Sequence, residues 1–277
     1  VLQRMSLDEK VGQMCELTIE PIGEMKNDSF VIDYEKLQTV IGQYKVGSIL
    51  NAPTHGLSRE DWKRIIDAIQ EISMREIGIP CIYGLDQNHG TTYTLGGTLF
   101  PQPINLAASF NPALATEGAK ICAYETRASN CPWVYNPTMD VMSDPRWSRI
   151  WESFGEDPLL NATMARAQVV GYQGDDAEHI GENSVAVCIK HYLGYGYART
   201  GKDRTPAYIT PRDLREKCFE PFRQCVEQKA LSLMVNSASI NGVPVHANRE
   251  LLTGWLKEQM QWDGMIVTDW ADINNLY

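Results

Sequence analysis

Short apolar runs alternate along the chain with longer amphipathic stretches. Residues 46–50, 79–86, 104–109, 133–140, 185–191, 231–238 and 264–269 are rich in consecutive apolar or β-branched side chains. Strands covered on both faces have this pattern, as in a parallel sheet wrapped by helices. Helical patterns lie between the runs. Ser6-Leu7-Asp8-Glu9 has the form of a capping box, with Val11, Met14 and Cys15 continuing an apolar stripe. Residues 33–44 form a second helix. Ser58 caps a longer one in which Trp62, Ile65, Ile66, Ile69 and Ile72 share a face, and Gly78 stops it. Asn111-Pro112 opens a helix with asparagine as cap and proline in the first turn. Residues 158–171 are helical, Gly174-Asp175-Asp176 is a loop, and Thr210-Pro211-Arg212-Asp213 caps a helix kinked at Pro221. The last helix covers 251–260.

Repeated strand–helix units form either an open doubly wound sheet or a closed barrel. Polar residues end run after run: Asp86, Asp140, Lys190, His191 and Asp269. Closure would gather those tips on one face, where barrels of this kind carry their chemistry. The expected fold class is therefore α/β, a TIM-like (β/α) barrel, with 1–277 as a single domain. Such a barrel has eight strands, and seven runs are present. The barrel is expected to be incomplete, truncated at its C-terminal end and lacking its last strand and helix. No linker, low-complexity tract or repeat interrupts it.

Bulk composition narrows the function. The 277 residues are 43% hydrophobic and 22% charged, which suits one barrel of about 250 residues. No apolar run approaches the ~18 residues of a membrane span. A formal charge of −10 leaves no basic stripe for nucleic acid. The seven cysteines contain no CxxC pair; Cys81 and Cys188 lie inside apolar runs and read as buried thiols. Histidines at 55, 89, 179, 191 and 246 include no HExxH or HxH, so neither a metal nor a cofactor is expected. His55, His179 and His246 belong to no motif and are expected at the surface or in loops. Gly194-Tyr195-Gly196 falls short of a phosphate-binding GxGxxG.

The chemistry concentrates at the strand tips. Asp269 ends the run 264–269 and is followed by Trp270. It is either a helix N-cap or a reacting group, and this stretch alone supports both equally. Three further stretches stand out: Tyr83 to Gly90 with Asp86 and His89, Asp144 to Pro158 with Arg146 and Arg149, and Ile189 to Gly196 with Lys190 and His191. Fixed carboxylates beside Arg, Lys and His donors suit sugar hydroxyls, which both donate and accept. Aromatic faces suit the apolar faces of a pyranose, and a carboxylate could attack the anomeric carbon. Each residue also has a plainer reading. Asp86 could be a cap, Arg149 could pair structurally with Glu152 or Asp157, Met234 could be core, and Lys190 could be a Schiff-base lysine of an aldolase.

Taken in order, the motifs are Leu7-Asp8-Glu9-Lys10-Val11-Gly12-Gln13-Met14, Gly84-Leu85-Asp86 with His89-Gly90, Asp144-Pro145-Arg146-Trp147 with Arg149, Glu152-Ser153-Phe154-Gly155-Glu156-Asp157-Pro158, Lys190-His191, Asn241-Gly242-Val243-Pro244 and Thr268-Asp269-Trp270. In this order the chain resembles glycoside hydrolase family 3, the retaining β-glucosidase family, over essentially its whole length. The resemblance implies that Asp269 is the nucleophile. It implies that Asp86 accepts hydrogen bonds from hydroxyls on the far edge of the non-reducing-end sugar. Arg149 would contact the sugar and hold Asp86 in place. Lys190 and His191 would hold neighbouring hydroxyls, often through a cis peptide in this family. Trp270 would form a wall of the pocket and Met234 would line it.

The chain also departs from the family. Many members carry, at the position of Ser237, a tyrosine that hydrogen-bonds the nucleophile, so that bond is absent or supplied elsewhere. The N-acetylglucosaminidase branch has Asp-Ser-His after Lys-His; Asp203-Arg204-Thr205 stands here and disfavours that branch. In the β-glucosidase branch the acid/base is a glutamate of a following α/β-sandwich domain, which is the expected protein partner. The implied activity is exo-acting, retaining hydrolysis of terminal β-D-glucosyl residues from glucosides or β-linked oligosaccharides. A β-xylosidase or other β-glycosidase of the family is the alternative, and a catalytically silent sugar-binding barrel is a reading from another class. The chain opens at Val1 without an initiator methionine or signal peptide; periplasmic or secreted location is implied by the family alone.

Overall fold

The computed structural model describes residues 1–52 and 54–276. Seven strands form one sheet: β1 (Glu16–Thr18), β2 (Ser48–Leu50), β3 (Ile82–Leu85), β4 (Trp133–Val134), β5 (Ala186–Tyr192), β6 (Ser232–Val235) and β7 (Met265–Val267). They are hydrogen-bonded in chain order, every neighbour parallel. Side chains reach across the sheet between strands that are not neighbours. Tyr135, just past β4, donates its hydroxyl to Glu16 Oε1 of β1 at 2.6 Å, and Trp133 Nε1 donates to Ser232 Oγ of β6 at 2.8 Å. Contacts that skip strands require the sheet to curl around its own interior. With β1 and β7 as its edges, the curled sheet is an incomplete TIM-like (β/α) barrel.

The two-residue alternation of a strand decides which tips face inward. Trp133, Tyr135, Cys188, Met234 and Val267 pack together inside the barrel. Val134, Ile189 and Leu233 point the other way, into the core shared with the helices. The same alternation carries Lys190, two residues after Cys188, and Asp269, two after Val267, to the inner side. Asp86 stands in the same relation to Gly84. A Cβ at Gly84 would lie 2.2 Å from the Tyr135 hydroxyl oxygen, so only glycine lets that ring cross the interior to Glu16.

The capped helices form as their sequences dictate. Ser58 Oγ accepts from the Asp61 N–H, and the helix Arg59–Glu76 buries Trp62, Ile65, Ile66, Ile69 and Ile72. Asn111 caps Pro112–Ala128, Asp157 caps Pro158–Gln173, and Thr210 caps the helix that begins at Pro211. The turns ahead of Pro221 widen into a π-helical stretch, Leu214–Phe219, a wider winding at the point where the proline ring would crowd an α-helical turn. The capping box at Ser6 is present, but Val11, Met14 and Cys15 are exposed. That helix packs through its backbone instead: a Cβ at Gly12 would meet the Tyr44 carbonyl oxygen at 2.0 Å.

Three strand expectations are corrected. Residues 104–109 are not a strand; Pro103–Ala107 is a short helix with Pro103 in its first turn. The run 133–140 pairs as a strand only at Trp133–Val134, with Thr138 making one isolated bridge to Lys190 and Asn136–Pro137 cis. The first barrel strand is β1, unmarked in the hydrophobic pattern because it has three residues and carries Glu16 and Thr18 at its ends. The count of seven therefore stands with one member exchanged.

Candidate active site

At the C-terminal end of β3, Asp86 is held from two sides. Lys190 Nζ donates to its Oδ1 at 2.5 Å and Asn51 Nδ2 to its Oδ2 at 2.8 Å, while the Asp86 N–H donates to Asn51 Oδ1 at 2.9 Å. Asn51 follows β2 directly and Lys190 belongs to β5, so the corner is built by the neighbouring ends of β2 and β3 with Lys190 reaching past β4. Burial alone would push the Asp86 carboxyl up. Lys190 and the Asn51 hydrogen bond outweigh it, and the group lies below the ordinary carboxylate range. Lys190 is almost wholly buried, whereas the Asp86 side chain is 28% exposed, so the carboxylate keeps a face toward the open side.

His191 follows Lys190 through a cis peptide bond, and Tyr192–Leu193 is cis as well. The imidazole is fully enclosed. Its Nδ1 lies 2.8 Å from Asp140 Oδ2, and Arg149 Nη2 lies 3.2 Å from its Nε2. A guanidinium only donates, so Nε2 is the accepting nitrogen and Nδ1 carries the proton given to Asp140. Burial, aided by the positive Arg149, Lys190 and Arg204, holds His191 well below the ordinary imidazole value. The ring is neutral.

Arg149 does not hold Asp86. Its Nε donates to buried Glu152 Oε1, its Nη2 faces His191, and its guanidinium lies 5.4 Å from the Tyr195 ring centroid. The ion pair with Glu152, the plainer of the two sequence readings, is what forms; Lys190 and Asn51 position Asp86 in its place. Arg146 pairs with Asp144 at 2.6 Å.

Asp269, 8% exposed, sits past the end of β7. Its Oδ1 accepts the Trp270 N–H at 2.5 Å and Arg204 Nη2 at 3.1 Å. Its Oδ2 has no hydrogen-bond partner among the described residues, and His191 Nε2 is 3.6 Å away. Asp86, Lys190, His191 and Asp269 thus follow one another along the barrel mouth from β3 to β7. A cavity of about 610 Å³ opens at the Asp86 end, lined in part by Asp86, Lys190, Arg149, Tyr93 and Trp151. Its volume suits a small-molecule ligand.

Two expected pocket residues differ in their surroundings. Met234 packs against Trp133, Tyr135, Cys188 and Val267 inside the barrel. Trp270 is 58% exposed and stands at the barrel mouth directly after Asp269. His55 and His179 are exposed as expected. His246 is not: its side chain is 7% exposed and its Nε2 lies 3.9 Å from Asp272 Oδ2.

Three members of this arrangement carry no role assigned from the sequence: Asn51, Asp140 and Arg204. Asn51 and Asp140 had a readable signal, since polar residues just beyond apolar runs mark the barrel mouth. Arg204 had none, because its loop was weighed only for the histidine it lacks.

A model of the glycosyl hydrolase family 3 N-terminal domain matches residues 6–277. A lysosomal β-glucosidase of Dictyostelium discoideum is 38% identical, aligned over 100% of this chain and 35% of its own length. A putative β-xylosidase of Formosa agariphila is 33% identical, over 100% of this chain and 37% of its length. A solved β-glucosidase of Erythrobacter marinus superposes with a TM-score of 0.89 at 29% identity, covering 99% of this chain and 36% of that one. The chain spans about a third of the length of these relatives.

Proposed function

The chain belongs to glycosyl hydrolase family 3, and on that premise we propose that it is the nucleophile-bearing barrel of a retaining exo-β-glycosidase. Its substrate is a terminal β-D-glucosyl residue of a glucoside or β-linked oligosaccharide. The observation that carries this reading is Asp269, whose Oδ2 lies unpartnered at the barrel mouth in line with His191, Lys190 and Asp86. A sugar lying along that line would present its anomeric carbon to Asp269 and the hydroxyls of its far edge to Asp86 and Lys190. Lys190 and Arg149 have N–H groups for sugar oxygens, and the Asp86 carboxylate takes hydroxyl protons. In the first step Asp269 Oδ2 bonds to the anomeric carbon as the aglycone departs; in the second, water displaces the carboxylate.

Retention requires a second carboxyl group roughly 5 Å from the first. We assign it to a following α/β-sandwich domain of the same protein, a reading supported by relatives about three times as long as this chain. Glucose is supported by the β-glucosidase relative, with Asp86 read as the acceptor for far-edge hydroxyls that include a hydroxymethyl group. A β-xylosidase is the second reading, supported by the relative of that name. A periplasmic or secreted location is supported by relatives named as a periplasmic and a lysosomal β-glucosidase. Among the described residues no helix is long and apolar enough to cross a membrane.

The test is hydrolysis of aryl β-D-glucoside and aryl β-D-xyloside by the full-length protein, with the first-formed anomer followed by proton NMR. β-Glucose released first, with the glucoside preferred, is the expected result. An α-anomer would overturn retention, and a preference for xyloside would install the second reading. Sugar binding without hydrolysis of either substrate would mark a silent barrel.

A further inference from the structure

The two oxygens of Asp269 are not equivalent, and Arg204 is the side chain that helps separate them. Arg204 lies on the loop between β5 and β6, and its guanidinium spans two carboxylates. Nη2 donates to Asp269 Oδ1 at 3.1 Å, and Nη1 donates to Asp272 Oδ1 at 2.9 Å and to the Trp270 carbonyl at 3.1 Å. The Trp270 N–H also donates to Oδ1. Among the described residues Oδ2 receives nothing: His191 Nε2, 3.6 Å away, already accepts from Arg149. Ser237 Oγ, two residues past β6, is buried and makes no hydrogen bond to Asp269 among the described residues, so it does not substitute for Arg204. Asp272, 1% exposed, anchors the far arm of the guanidinium.

We propose that Arg204 is a positioning residue for the nucleophile: together with the Trp270 N–H it engages Oδ1, leaves Oδ2 to attack, and stabilises the carboxylate when it is released. The proposal rests on the retaining reading above. In the first step the Oδ2–anomeric carbon bond forms, the bond to the aglycone oxygen breaks, and that oxygen takes a proton from the acid/base carboxyl of the following domain. Asp269 loses its negative charge, and Oδ1 becomes the ester carbonyl. In the second step a water oxygen bonds to the anomeric carbon and its proton passes to the same carboxyl. The electron pair of the breaking carbon–Oδ2 bond returns to Asp269. Arg204 faces a charge that disappears in the first step and reappears in the second, so its loss slows the second step selectively.

The experiment compares full-length wild type, Arg204→Gln and Arg204→Lys on 2,4-dinitrophenyl β-D-glucoside, whose leaving group needs little protonation. In Arg204→Gln, kcat falls about 10²-fold, the scale of one lost charge-stabilising donor. KM falls with it, kcat/KM changes far less, and a burst of one equivalent of dinitrophenolate precedes the steady state. Arg204→Lys, which keeps the charge, recovers part of kcat and covers the case in which the glutamine variant does not fold. Equal loss in kcat and kcat/KM without a burst would overturn the proposal, as would two variants indistinguishable from wild type. If wild type itself fails to hydrolyse the glucoside with retention, the proposed function falls; a normal wild type with a burstless Arg204→Gln sinks the role of Arg204 alone.

Discussion

Lys190→Met removes one partner of a buried ion pair while keeping the side-chain length. In wild type Lys190 Nζ stands 2.5 Å from Asp86 Oδ1, with the lysine side chain 3% exposed. Breaking a fully buried pair from one side costs about 3–5 kcal/mol, because the remaining charge is stranded. Asp86 keeps both Asn51 hydrogen bonds and a side chain that is 28% exposed, so about 2–3 kcal/mol is expected. The barrel transition of the full-length protein should then drop by roughly 5–10 °C, at about 2–4 °C per kcal/mol. The pH dependence has a definite sign. Wild-type Asp86 lies below its ordinary value, so its contribution is present above about pH 4 and is lost as pH falls through the folded value. With Lys190 gone, burial dominates and the carboxyl rises above its unfolded value. The variant therefore recovers stability relative to wild type as pH falls toward about 4. Differential scanning calorimetry from pH 7 to 4 reads both effects. A variant within about 1 °C of wild type at pH 7, or a gap that widens on acidification, would refute the reasoning.

Other perturbations separate packing from chemistry. Asp269→Asn should abolish turnover of aryl β-glucosides with the circular dichroism spectrum and melting temperature kept; surviving turnover would remove Asp269 from the mechanism. Gly84→Ala places a methyl 2.2 Å from the Tyr135 hydroxyl, an overpacking expected to cost about 1–3 kcal/mol by urea denaturation; an unchanged midpoint would contradict the close approach. Met234→Ala should cost about 2–5 kcal/mol as a core cavity with KM for aryl glucoside nearly unchanged, whereas a large KM change with little destabilisation would return Met234 to the pocket. Nitrogen-15 spectra of histidine-labelled protein should show His191 protonated at Nδ1 and bare at Nε2 from pH 6 to 8. A proton on Nε2, or a doubly protonated ring, would contradict the Arg149 contact.

Elements with both a cap and a long apolar face were legible from the chain alone. Arg59–Glu76 and Pro112–Ala128 begin at their Ser58 and Asn111 caps because a side-chain oxygen satisfies a backbone N–H that the helix cannot. Short elements were not legible. Residues 104–109 are too few for period 2 and period 3.6 to separate, and Pro103 was the one signal that favoured a helix. β1 has no apolar run because its Glu16 points across the interior to Tyr135, a partner 119 residues away. The site divides along the same line. Asp86, Lys190 and Asp269 are strand-tip residues, and alternation from Gly84, Cys188 and Val267 puts each on the inner side. Arg204 is brought to Asp269 by a long loop, and nothing local in Asp203-Arg204-Thr205 encodes that meeting. The outward face of the first helix has a similar origin: its apolar residues promised a core contact, but Gly12 sets a backbone approach that turns them to solvent.

The central claim is that Asp269 becomes covalently glycosylated. Full-length protein incubated with 2,4-dinitrophenyl 2-deoxy-2-fluoro-β-D-glucoside, digested with protease and sequenced by tandem mass spectrometry tests it directly. One fluoroglucosyl group on Asp269 is the predicted result, with no adduct in Asp269→Asn. An adduct on any other residue, or turnover of the parent glucoside without any adduct, would contradict the account.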